Sequence, residues 1–252
     1  IAFLERRANA YQAYYVMMPV RRSCLPTGSD MKLYRGSSFG QLTEILILDT
    51  RQYRTDQPNN DRRSPLNDAA LNPANSMLGR TQKNWLCQKL ISSKAKWNVL
   101  AQQVMMGLVK RAVIDDVGQY SMDQWPGYAA ERIQLMRFMA DRKVSNPVVL
   151  TGDIHSNWAN ELRVDDRRED HPLVASEFVA TSLCSGGNGT EKPSNLDSIL
   201  STNACVKFHN AERGYILCHV TPKSWQSDYM VVDEVLKPGG KTFSRAAFVI
   251  EA

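Results

Sequence analysis

Two segments put reactive side chains directly behind short apolar runs. In "VVLTGDIHSNWANEL", residues 148–162, the run Val148 to Leu150 stops at Gly152, and Asp153 and His155 follow two residues apart. In "ILILDTRQYR", residues 45–54, the run Ile45 to Leu48 gives way to Asp49, Arg51 and Arg54. Carboxylate oxygen together with imidazole nitrogen suits hard or borderline metals such as iron, zinc and manganese. A glycine lets the backbone turn close to an ion, and a guanidinium makes a bidentate clamp for a phosphoryl group. Such a set would serve metal-assisted hydrolysis of a phosphate ester. The alternative is an ordinary polar turn, in which Asp49 holds the chain reversal, Arg51 pairs with it and Trp158 is core.

Other segments carry weaker signals. "SLCSGGNGT", residues 182–190, has the flexibility of a phosphate-cradling loop but matches neither the P-loop nor the dinucleotide fingerprint, so a mobile turn is the plainer reading. Cys184 within it lacks a His or Asp at a suggestive position and does not read as a nucleophile. "SMDQWPGYAAER", residues 121–132, sets a carboxylate and two aromatics before a helix, as a pocket wall or a helix cap. His209 and His219 read as structural, and His171 as solvated.

These groups need a scaffold. Leu4, Ala8, Tyr11, Tyr15 and Met18 repeat at helical spacing up to Pro19. The continuous apolar run at 45–48 has the pattern of a strand covered on both faces. Residues 54–77 are polar, hold three prolines and read as a long surface loop. A helix is expected over 78–92, a strand from Trp97, an irregular connection to about residue 128, and a second helix over 129–143 that Asn146-Pro147 ends. The strand at 148 comes next. This alternation predicts an α/β fold with helices on the faces of a sheet. The last third changes character. "RGYILCHVTP", "DYMVVDEVLKP" and "KTFSRAAFVIEA" are short segments between Pro and Gly turns, the signature of antiparallel pairing.

Composition narrows the partners. The chain has 252 residues, 43% of them hydrophobic, enough for one large domain or two small ones. No apolar run reaches the length of a membrane-spanning helix, and the charged start "IAFLERRANAYQAYY" is not a signal peptide. A net charge of +5 would help to steer an anionic substrate. No interleaved basic and aromatic cluster argues for a nucleic-acid-binding module. The five cysteines form no C-x-x-C pair, and their odd number leaves at least one thiol free of any intrachain disulfide.

Six motifs in order, "LDTRQYRTDQP", "LGRTQKNWLCQKLISSKAKWNVLAQQVMM", "YSMDQWPGYAAER", "VVLTGDIHSNWANEL", "EFVATSLCSGG" and "RGYILCHVTPKSWQSDYMVV", with "RRANAYQAYYVMMPVR" ahead of them, resemble the PhoD-type alkaline phosphatase and phosphodiesterase group of the metallophosphoesterase superfamily. The resemblance covers essentially the whole chain. It implies an αββα-type sandwich with a mixed sheet, a metal centre of iron and calcium (Fe3+ and Ca2+), and hydrolysis of phosphate mono- or diesters at alkaline pH. It implies an extracytoplasmic location through export by the twin-arginine route. Asp153 and His155 fit the family's G-D-x-H metal motif. Arg51 fits its D-T-R turn, where an arginine holds phosphate, and Trp158 fits the tryptophan behind the metal motif, on the substrate side.

Two departures stand out. Pro126 occupies a position where the family usually has an acidic residue, and no G-D or D-D-H-E motif, which supply most of the family's ligands, occurs ahead of Ile1. Residues 1–252 therefore read as the C-terminal portion of a single domain whose N-terminal half is a missing partner. Two ligands fall short even of a catalytic zinc site, and lost strands would leave an exposed edge. The chain alone is expected to be inactive, metal-poor and unstable. A non-catalytic binding domain or a pseudoenzyme remnant is the competing expectation.

Overall fold

A computed structural model describes residues 2–252, which divide into two compact units, one up to Arg35 and the other Gly36–Ala252. In the first, α1 spans Ala2–Met17 and ends two residues before Pro19, as the helical spacing required. Ala8, Tyr11 and Tyr15 are partly covered, whereas Leu4 stays exposed. A 3-10 turn at Arg22–Cys24 follows, and Cys24, Met31 and Tyr34 are buried.

The second unit is built on a seven-stranded mixed sheet. Its strands are β1 (Arg35–Phe39), β2 (Thr43–Ile47), β3 (Trp97–Ala101), β6 (Pro147–Thr151), β7 (Asn157–Arg163), β8 (Leu173–Val179) and β9 (Val206–Asn210), in the order β1-β2-β3-β6-β8-β7-β9. The pairs β2–β3, β3–β6 and β6–β8 are parallel, and β7 runs antiparallel to both β8 and β9. Parallel neighbours need crossovers; α2 (Gly79–Ser92) supplies the one between β2 and β3, α3 (Ala129–Asp141) the one between β3 and β6, and β7 lies in the connection from β6 to β8. Side chains alternate across the central strands. Leu46, Leu48, Leu100 and Val149 face the helices and pack on Leu86, Leu90, Leu135, Met136 and Met139. Trp97, Val99, Val148, Ala159 and Phe178 face the other way, onto Trp225 and Tyr229.

Those two aromatics belong to a second sheet, β10 (Arg213–Val220), β11 (Ser224–Val232) and β12 (Thr242–Glu251), antiparallel throughout as the turn spacing predicted. Helices, large sheet and small sheet thus form three layers around two apolar interfaces. Burial of each large side chain contributes roughly 1.5–3 kcal/mol.

One element differs from the expectation, and others were not anticipated. The stretch read as irregular holds a hairpin, β4 (Ala112–Ile114) and β5 (Val117–Gln119), turned by Asp115 and Asp116 at φ +49° and +63°. Asp tolerates this left-handed conformation, so the pair does the work usually given to Asn-Gly. "NWANELR" lacks apolar alternation, yet it is β7, because buried Asn157 and Asn160 spend their amides on Asn210 and Glu177. The segment after the glycine-rich loop forms α4 (Leu196–Thr202) and β9.

Candidate active site at the ends of the parallel strands

The parallel strands β2, β3, β6 and β8 end on one edge of the sheet, where α/β folds gather ligands. At the end of β2, one Asp49 carboxylate oxygen accepts the backbone N–H groups of Arg51 at 3.0 Å and Gln52 at 2.9 Å. This is an Asx turn, a short local structure that Asp forms readily. Gln82 of α2 secures it, accepting from the Asp49 N–H at 2.7 Å and donating to the Asp49 carbonyl at 2.8 Å. The turn sends Arg51 out over the strand ends.

Arg51 meets two carboxylates. Its Nη1 donates to both oxygens of Asp123, at 2.9 and 3.0 Å, and its Nη2 to Asp153 at 3.2 Å. Arg54 adds an ion pair to Asp123 at 2.9 Å and a bond to its carbonyl at 3.0 Å, and Gln57 donates to it at 3.2 Å. Partial burial alone would raise the Asp123 carboxyl, but the hydrogen bonds and charge of Arg51 and Arg54 outweigh it and hold the group below its ordinary range. Burial likewise works against the Arg51 guanidinium, and Asp123 and Asp153 outweigh it, so its pKa rises.

Asp123 is placed by the segment around it. A side chain on Gly127 would sit 2.1 Å from the Met122 carbonyl oxygen, so the tight turn into Trp125–Tyr128 requires glycine. A buried chain of hydrogen bonds then anchors this turn to three strand ends. Trp125 Nε1 donates to Gln102, Gln102 to Thr151, and Thr151 to Glu177, at 2.8, 3.0 and 2.8 Å. Glu177 is fully buried, which raises its carboxyl, and it also accepts the N–H groups of Met106 and Gly107.

At the end of β6 the chain turns sharply. The Ile154 N–H reaches the Gly152 carbonyl at 2.8 Å, and Asp153 and His155 take φ of +67° and +54°. A non-glycine residue held there costs on the order of 1–3 kcal/mol, and such strain gathers at functional sites. Both side chains are exposed. Trp158 is not: it is fully buried, stacked on His209 with ring centroids 3.6 Å apart, and its Nε1 donates to Ser156. Burial pushes His209 down to about 4.

Of the residues singled out from sequence, Arg51 and Asp153 are thus in contact, His155 shares the turn of Asp153, and Trp158 lies beneath that turn. Asp123, which the sequence offered only as a pocket-wall or helix-cap carboxylate ahead of "QWPGY", joins them. Asp153 and His155 are suitable metal donors, but among the described residues no group of three or more His, Cys, Asp or Glu could hold a metal ion. The residues present therefore do not make a metal site by themselves. Among the described residues no helix is long and apolar enough to cross a membrane.

A family model described as PhoD-like phosphatase matches residues 1–229. Alkaline phosphatase D of Bacillus subtilis (strain 168) is 46% identical over 250 residues, which cover 99% of this chain and 43% of that protein. A solved structure described as PhoD superposes with a TM-score of 0.95 at 46% identity, over 99% of this chain and 48% of that one. The chain spans less than half the length of these relatives.

Proposed function

The chain belongs to the PhoD-like phosphatase family, and from that premise we propose that it contributes to the hydrolysis of phosphate mono- or diesters at alkaline pH, as part of a single PhoD-like domain completed by an N-terminal half. The observation that carries this reading is Arg51, held over the strand ends by Asp123 and Asp153. Among the described residues its guanidinium hydrogen bonds all come from Nη1 and Nη2, which leaves at least Nε–H and one Nη2–H of its five N–H donors for a phosphoryl oxygen. Fixed in advance of the reaction, the guanidinium neutralises charge that builds on the phosphoryl oxygens during in-line attack by water. Arg54 and Gln57 keep Asp123 in place, so that substrate binding redistributes the donors of Arg51 without releasing its anchor.

Family membership suggests metal dependence. We assign Asp153 and His155 as two ligands of an iron and calcium centre, with the remaining ligands from the longer protein, and an extracytoplasmic location. Trp158 serves the substrate side indirectly, by supporting the turn from below.

The test is turnover of p-nitrophenyl phosphate and its bis ester at alkaline pH by the gene product that carries this chain, with metal analysis of the same sample. Asp153→Ala and His155→Ala should each lose activity and metal together. Absence of turnover in the parent, or variants with unchanged turnover and metal content, would refute the assignment.

A further inference from the structure

Arg213, the first residue of β10, is buried, yet among the described residues no carboxylate pairs with it. Every hydrogen bond of its guanidinium goes to a neutral acceptor. Nε donates to the Gly187 carbonyl at 2.9 Å and Nη2 reaches the Gly186 carbonyl at 3.4 Å. Nη1 donates to the His155 carbonyl at 2.7 Å and to Thr181 Oγ1 at 3.2 Å. One planar fork therefore grips the centre of the glycine-rich loop along one edge and the strained turn of His155 at the other. A buried cation is costly unless its donors are satisfied, so this geometry is held from several sides at once.

The loop is shaped for that grip. Gly186, Gly187 and Gly189 have φ of +85°, +72° and +74°, and the loop surface is otherwise exposed. Its ends are tied separately. Gly214 N–H binds the Ser182 carbonyl at 3.1 Å, and Thr190 and Ala211 exchange backbone bonds at 3.3 and 2.9 Å. Asn188 Oδ1 also accepts the Val235 N–H at 2.8 Å, so loss of Arg213 would free the stretch around Gly186 and Gly187 and leave the ends and Asn188 pinned.

We propose that Arg213 is a positioning residue that locks loop 182–190 to the His155 turn, so that the two form one rigid wall of the phosphate-ester site; the part about catalysis rests on the function proposed above. Lysine keeps the charge but not the fork. Arg213→Lys should therefore speed proteolytic cleavage within 183–189 by about tenfold or more, while β10–β12 keep their hydrogen-exchange protection. Thr181→Val, which removes one acceptor, should loosen the same segment by a smaller factor. In the gene product that turns over phosphate esters, Arg213→Lys should lower kcat on the order of 10- to 100-fold with little change in KM, because misplacement of a site wall acts on the chemical step. Unchanged cleavage in both variants would overturn the clamp. A loosened loop with unchanged kcat would overturn its role in the site. If the parent shows no turnover, the function proposed above fails, and the cleavage rates still decide whether the clamp exists.

Discussion

Replacement of Arg51 by Gln separates a catalytic role from a structural one, because the structure assigns very different magnitudes to each. The Arg51 side chain is 38% exposed, and its partners Asp123 and Asp153 are 31% and 42% exposed. Ion pairs that open to solvent contribute about 0–1 kcal/mol each. Asp123 keeps Arg54 at 2.9 Å and Gln57 at 3.2 Å after the change, and Asp153, which loses its ion pair, is open to solvent, so no buried carboxylate is stranded. The two pairs together amount to at most about 2 kcal/mol, so the melting temperature should fall by no more than about 4–8 °C in a chain of this size. A preorganised donor facing the transition state is worth far more, about 100- to 1,000-fold in rate. Turnover of p-nitrophenyl phosphate and a thermal melt on the same preparation read both quantities. A kcat/KM within about threefold of the parent, against the 100-fold expected, would show that Arg51 does not meet the phosphoryl group. A melting temperature lower by much more than about 8 °C would show that it serves the fold.

Three further outcomes follow from buried groups. Arg132 and Asp166 form an ion pair at 2.7 Å with both side chains at 0% exposure, and Arg132 also binds the carbonyls of Met106, Arg163 and Val164. Arg132→Met strands a buried carboxylate and should cost about 3–5 kcal/mol in denaturant unfolding, and a near-parental midpoint would contradict the pair. His209, pushed by burial from 6.5 to about 4, binds its proton more weakly folded than unfolded, so its contribution is full above pH 6.5 and is lost as pH falls toward about 4. Urea midpoints should track that window by up to roughly 3 kcal/mol, and His209→Phe, which keeps a ring against Trp158, should flatten it; an unchanged pH slope would refute the cause. All five cysteines are free, but only Cys184 is exposed, while burial pushes Cys205 up to about 12. Alkylation of the native protein should map to Cys184 first, and early labelling of Cys205 would contradict the packing.

Much of this protein was legible in its sequence. The apolar runs at 45–48 and 148–150, the helical spacings over 78–92 and 129–143, and the Pro and Gly turns after residue 213 are local patterns, and local sterics and burial turn them into strands and helices where expected. The ordered motifs likewise carried the family, which needs chain order and not coordinates. The local chemistry of Asp49, a turn-holder for Arg51, was also readable. Tertiary structure alone decided the rest. β7 is a strand because its asparagines find buried partners, Trp158 lies inside against His209, and Arg213 reaches both the glycine loop and the His155 turn. The site itself belongs to this second class. Asp123 and Asp153 lie 72 and 102 residues from Arg51, and only the parallel pairing of β2, β3 and β6 brings their ends to one edge. Periodicity reports which face of an element is apolar, but it holds no record of which strand ends are neighbours.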